Sequence, residues 1–177
     1  LVFSLEAFGA QFETRTQIGV YAAMWHIDYE TLKPVITDEA EFRREHAADP
    51  LLDEIVLLWI GQPQQALHGI RDFLSRHPES KRARALMADA LRDLNDFAGA
   101  TEIYTELVRA AKHPLEAATY TQHLGKVYFC CGDIAQAKEC FQRALDCRIS
   151  NNAPQDLIDS SQLAVNRVDE LLDGSKS

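Results

Sequence analysis

Four cysteines, Cys130, Cys131, Cys140 and Cys147, fall close together in the chain, and a thiol cluster is the first place to look for metal or redox chemistry. Zinc modules space their cysteine pairs two to four residues apart so that four ligands converge. Here two thiols are adjacent and the next intervals are nine and seven. On a helix, Cys140 and Cys147 lie near one face while Cys130 and Cys131 diverge. These thiols therefore read as packing or surface groups, and no metal is expected. They also make a poor disulfide framework for 177 residues, which points to a reducing, cytoplasmic setting. The histidines, His26, His46, His68, His77, His113 and His123, contain no pair at the i, i+4 spacing of a helical metal site, and none completes a nucleophile–base arrangement. They are expected in solvent. No glycine-rich turn offers to cradle a phosphate, so no cofactor is expected. The acid pairs Asp53-Glu54 and Asp169-Glu170 read as solvated helix faces. The chain is expected to be no enzyme, with no catalytic residue.

Charge sharpens the remaining options. The sequence holds 27 acids against 18 bases, a formal charge of −9. Such a molecule repels phosphate backbones and anionic lipid, so neither nucleic acid nor membrane is expected as a partner. The apolar window over residues 18–27 is about half the ~20 residues that a spanning helix needs. The local exception to the acidic field is Lys81, Arg82 and Arg84, with Arg71 and Arg76 just upstream. This cluster reads either as a solvated first turn or as a docking patch for an acidic peptide.

The elements that would position these groups repeat. Gly61 to Ile70, Asn95 to Tyr104 and Gly132 to Phe141 each read as a turn followed by a helix. In each, alanine comes five places after the turn residue (Ala66, Ala100, Ala137) and a large apolar residue four further on, and the alanines are 34 and 37 residues apart. A helical period precedes each turn: Leu51, Ile55 and Leu58; Ala83, Met87, Leu91 and Leu94; Leu124, Val127 and Tyr128. Small residues on facing helices let the axes approach, with Gly125, Ala137, Ala88 and Ala100 in that role. Glu54 takes the small place in the first unit and weakens its first helix.

This pattern resembles the tetratricopeptide repeat family, whose unit is 34 residues. The third unit carries the resemblance best, with Leu124-Gly125, Tyr128, Gly132, Ala137, Phe141 and Ala144 inside LGKVYFCCGDIAQAKECFQRAL. The resemblance implies an all-α, right-handed solenoid of three helix pairs over residues 47–153, with units at about 47–80, 81–117 and 118–151 and an insertion around His113-Pro114-Leu115. It also implies a concave groove lined by first-helix residues that holds a peptide or helix of a partner protein. Among those positions the expected contacts are Leu51, Ile55, Leu58, Trp59, Arg82, Asp89, Arg92, Gln122, Lys126 and Phe129. The family's chaperone-binding clamp would need polar residues where this chain has Leu51, Ile55, Ala85 and Asp89.

The flanks complete the expectation. Residues 154–177 read as a capping helix, with Leu157, Ser161, Ala164, Val165, Val168, Leu171 and Leu172 as its inner stripe and a frayed tail beyond Gly174. Residues 1–46 read as a partly helical extension. Leu5, Phe8 and Phe12 suit one helix and Glu39 to His46 another, capped by Thr37 or Asp38. Residues 18–27 are ambiguous between helix and strand. Tyr29, Leu32 and Ile36 match a worn fourth repeat in position, although Pro34 would then interrupt a helix. The patch Leu51, Ile55, Leu58 and Trp59 needs a cover. Phe8, Phe12, Ile18 and Trp25 are the candidates within the chain, and a partner or a second copy the candidates outside it. The function expected is a protein-binding adaptor; the alternatives are a homodimerising structural module and the regulatory part of a larger enzyme.

Overall fold

In the computed structural model, residues 24–174 are described. A two-stranded antiparallel hairpin, β1 (Trp25–Ile27) and β2 (Pro34–Ile36), precedes eight helices. These are α1 (Glu39–Glu45), α2 (Leu52–Trp59), α3 (Pro63–Arg76), α4 (Lys81–Asp93), α5 (Phe97–Arg109), α6 (Pro114–Cys131), α7 (Ile134–Ser150) and α8 (Gln155–Gly174). Each helix from α2 to α8 packs mainly on its neighbours in sequence, the arrangement of a helical repeat. The helix expected around Leu5, Phe8 and Phe12 lies outside the described residues. Among the described residues, no helix is long and apolar enough to cross a membrane.

The repeat is written most clearly in its turns. Gly61, Asn95 and Gly132 all adopt a left-handed backbone, at φ 81°, 65° and 86°. Behind each, the next residue's N–H reaches back to a carbonyl five places earlier: Gln62 to Leu57 at 2.8 Å, Asp96 to Leu91 at 2.8 Å and Asp133 to Tyr128 at 2.9 Å. Glycine enters that region without cost and asparagine at little. Asp96 and Asp133 then cap the following helices, accepting from the Gly99 and Gln136 amides at 3.0 and 3.1 Å. Between turn and core, Ala66, Ala100 and Ala137 are fully buried, as are Ile70, Tyr104 and Phe141 four residues on. A methyl group on Gly125 would sit 2.6 Å from the Phe141 ring, so the α6–α7 approach depends on glycine there.

The first unit solves the same problem in reverse. Glu54 occupies the place of a small residue on α2, and α3 gives way instead: a methyl group on Gly69 would meet Glu54 Oε1 at 2.5 Å. The three-residue insertion adds a turn to the start of α6, which begins at Pro114. The unit boundary expected between 117 and 118 therefore falls inside this helix. Proline is tolerated there because its missing N–H would have no intrahelical partner.

The segment before α1 departs from expectation. Residues 25–36 form the hairpin, so they are not a worn helical repeat. Asp28 accepts from the Thr31 amide and hydroxyl at 2.8 and 2.6 Å, and these bonds hold the Asp28 carboxyl below its usual range. The turn closes through Asp28 N–H to the Lys33 carbonyl at 2.8 Å. Pro34 sits at the start of a short strand, a position that proline accepts. After it, Asp38 caps α1 by accepting from the Glu41 amide at 2.9 Å.

The hairpin spans the stack. At its base, Trp25 lies 5.1 Å from Trp59 between ring centroids, and Met24 and Ile36 join the core of the first unit. Midway, Lys33 pairs with Asp93 at the end of α4 at 2.9 Å. At its tip, Leu32 is buried in the cluster formed by α7 and α8, Glu30 pairs with Arg167, and the Arg167 guanidinium lies over the Tyr29 ring at 5.7 Å. It thus crosses near the C-terminal ends of α2, α4 and α6.

Candidate functional site

Contacts of α2 with α4 and of α4 with α6 place the first helices in one layer. That layer, α8 and the hairpin enclose a cavity of about 1260 Å³. One end is apolar, formed by Trp25, Ile27, Val35, Ile55, Leu58 and Trp59. The middle is polar, formed by Asp89, Arg92 and Asp93 of α4, by Gln122, His123 and Lys126 of α6 and by Arg148 of α7. Among the described residues, seven cationic side chains line the cavity against five carboxylates, so this wall is positive in a chain of net charge −9. The field inside favours an acidic guest.

The polar middle is tightly bonded. Arg92, 5% exposed, donates to Asp89 at 2.7 Å and to Asp93 at 3.0 Å. Burial alone would raise the Asp89 carboxyl, but the Arg92 charge and then His123 outweigh it and hold the carboxyl well below its usual range. Tyr104 donates its hydroxyl proton to the Ala85 carbonyl at 2.9 Å. Its oxygen is left to accept from His123 Nδ1 at 3.2 Å, while Asp89 lies 3.3 Å from the same nitrogen. Both contacts are satisfied when the proton is on Nδ1. Burial pushes the His123 pKa down against the pull of Asp89.

A second network lies towards α8. Arg148, 3% exposed, donates from Nη1 to the Leu157 carbonyl and the Ser161 hydroxyl, both at 2.7 Å. Ser161 passes its own proton to Gln122 Oε1 at 3.0 Å. Burial, opposed by Asp156, lowers the Arg148 pKa to about 10. Lys126 has no hydrogen-bond or ion-pair partner among the described residues. Burial first and then the Arg92 charge push its ammonium down to about 8.

Of the residues expected in the groove, Ile55, Leu58, Trp59, Arg82, Asp89, Arg92, Gln122 and Lys126 all line the cavity. Two do not. Leu51 is 1% exposed and belongs to the first unit's core, and Phe129 packs in the cluster beneath the hairpin tip. The basic residues are also less open than their run in the sequence suggests. Arg82 is bonded to Asp49 through both terminal nitrogens, Lys81 to Glu116 at 2.8 Å and Arg84 to Glu106. Burial alone would raise the Asp49 carboxyl, but the Arg82 hydrogen bond holds it below its usual value. His123, expected in solvent, is instead part of the cavity wall.

The apolar patch has its cover: Trp25 and Phe42 close on Trp59 at 5.1 and 5.2 Å, and Leu51, Ile55 and Leu58 are buried. Phe8, Phe12 and Ile18 lie outside the described residues. The four cysteines are free thiols, and burial raises the pKa of Cys130 and Cys140. No cluster of three or more metal-ligating side chains occurs among the described residues.

Sequence reasoning missed Arg148 and the hairpin. Arg148 sits on a second helix, whereas the groove positions of the repeat pattern fall on first helices only. The hairpin's signal is Asp28 with Thr31, three residues apart, between Trp-His-Ile and Pro-Val-Ile. No family model matches the chain, and no curated protein matches it.

Proposed function

We propose that the chain is a non-enzymatic, cytoplasmic adaptor of tetratricopeptide-repeat type, a right-handed solenoid that holds a peptide or helix of another protein in the cavity between its first helices and the hairpin. The observation that carries this reading is the division of the cavity wall. Trp25 and Ile27 of the hairpin offer an apolar seat at one end, and Arg92, Lys126 and Arg148 offer positive charge in the middle. An apolar cavity wall with a few convergent polar groups is the usual form of a binding site. The guest that fits carries an apolar side chain followed by an acidic one. The turns at Gly61, Asn95 and Gly132, with their matching hydrogen bonds, support the family reading. Self-pairing through the first unit loses its motive, because Trp25 and Phe42 already cover that patch.

A photoreactive residue placed at Val35, which lines the cavity, tests the reading against one at Glu102, exposed on α5. Cross-links from position 35 to a short acidic segment of a partner, absent from position 102, are the expected result. Equal cross-linking from both positions, or none from either, refutes it.

A further inference from the structure

We propose that Lys126 and Arg148 form a carboxylate subsite within the cavity, which takes an acidic side chain of the docked peptide; this rests on the peptide-binding reading above.

Apart from Lys112, which is exposed to solvent, the other cations of the wall are already matched. Arg92 is held by Asp89 and Asp93, Lys33 by Asp93, Lys81 by Glu116 and Arg82 by Asp49. Lys126 and Arg148 are different. No ion pair is formed by either among the described residues, although both line the same cavity. Arg148 spends Nη1 on two neutral acceptors, the Leu157 carbonyl and the Ser161 hydroxyl. Its Nη2 makes no hydrogen bond among the described residues, and its Nε is enclosed without a partner. A buried cation ordinarily finds a counter-charge, because taking an ion out of water is costly unless another charge offsets the loss. Asp156 lines the cavity and its field reaches Arg148, but the two form no ion pair.

The unused donors are also well placed for one class of ligand. With Nη1 occupied and Nε enclosed, Nη2 is the guanidinium donor left open to a carboxylate oxygen. Ser161 and Gln122 fix the plane of the guanidinium from the Nη1 side, so little order has to be imposed when a guest arrives. Lys126 contributes the second charge. Its ammonium is already repelled by Arg92 and Arg148, and an incoming anion relieves that repulsion. The facing groups are Asp89 and Arg92 from α4, Cys130 from its own helix and Arg148 from α7.

The test uses the intact chain, labelled with ¹⁵N, and three probes: acetate, inorganic phosphate, and a pair of acetylated, amidated tripeptides, Leu-Glu-Leu and Leu-Gln-Leu. Acetate and the glutamate peptide are expected to shift the Arg148 Nε–H resonance. The glutamate peptide should bind about tenfold more tightly than its glutamine twin, the effect of one charge-assisted hydrogen bond. Lys126→Met should remove most of that preference. Lys126 has no partner whose loss would disturb the fold, so the outcome does not depend on Arg148→Gln, which also cuts the tie between α7 and α8.

Equal affinity for the two peptides overturns the subsite and leaves the adaptor reading standing. An acetate response with neither peptide bound supports the subsite and counts against peptide docking. Silence towards both acetate and the glutamate peptide overturns the subsite, and a response to phosphate alone overturns its assignment to carboxylates.

Discussion

The first and third units bring two helices into contact with the space on opposite sides of the interface. In the third, Gly125 of α6 makes room for the Phe141 ring of α7; in the first, Gly69 of α3 makes room for Glu54 of α2. The difference lies in what fills the space. Phe141 is a rigid ring that is fully buried, whereas the atom nearest Gly69 is the end of a flexible carboxylate chain. One contact is part of the core and the other is a surface accommodation. Both ends of the stack are then joined by the hairpin, which places Trp25 on the first unit and Leu32 on the last.

The largest effect is expected at that join. Leu32→Ala removes a side chain that is 1% exposed from the α7–α8 cluster and should cost about 2–4 kcal/mol in a urea melt. A change below about 0.5 kcal/mol would show that the far end does not need the hairpin. Next comes the contrast between the two glycines. Gly125→Val should lose about 1–3 kcal/mol by driving a side chain into Phe141. Gly69→Ala should change stability by less than about 0.5 kcal/mol, since Glu54 can swing aside and alanine favours the helix. Equal losses at both positions would erase the distinction between the two units.

An effect of opposite sign belongs to Lys126 in the middle of the stack. Its pKa falls from 10.5 to about 8 in the folded chain, so the unfolded chain binds more protons between those values and stability rises with pH across that window. Lys126→Met should therefore stabilise the protein by about 1–2 kcal/mol at pH 7, allowing for partial solvent screening. The advantage should shrink as pH rises past 8 and vanish above about 10.5. Denaturation midpoints of both proteins at pH 7, 9 and 11 check this; a constant offset would mean that the ammonium is not what the fold resists.

The helical stack was legible because its determinants are local. Alanine five residues after a turn, and a residue tolerant of a left-handed backbone at the turn, act within one helix pair, and their intervals survive in the sequence. The exchange between Glu54 and Gly69 was half visible: Glu54 stood out as too large, but nothing local linked it to a glycine on the next helix. The hairpin was hidden because strands of three residues carry no measurable period, and its tip is fixed by Arg167, far along the chain. Much of the groove could be read from first-helix positions. Its electrostatics could not, because Arg82 and Arg92 look like free cations until Asp49, Asp89 and Asp93 are seen beside them.

A stack of repeats is ordinarily open-ended: each unit leans on its neighbours alone, and the terminal helices can peel away singly. The strand pair alters that behaviour. With Leu32 lodged against α8 and Trp25 against α2, the last helix cannot detach without loosening a segment that also grips the first. The ends are thereby coupled into one cooperative transition, and the ring they close is made late in folding, since its partners lie more than a hundred residues apart in the chain.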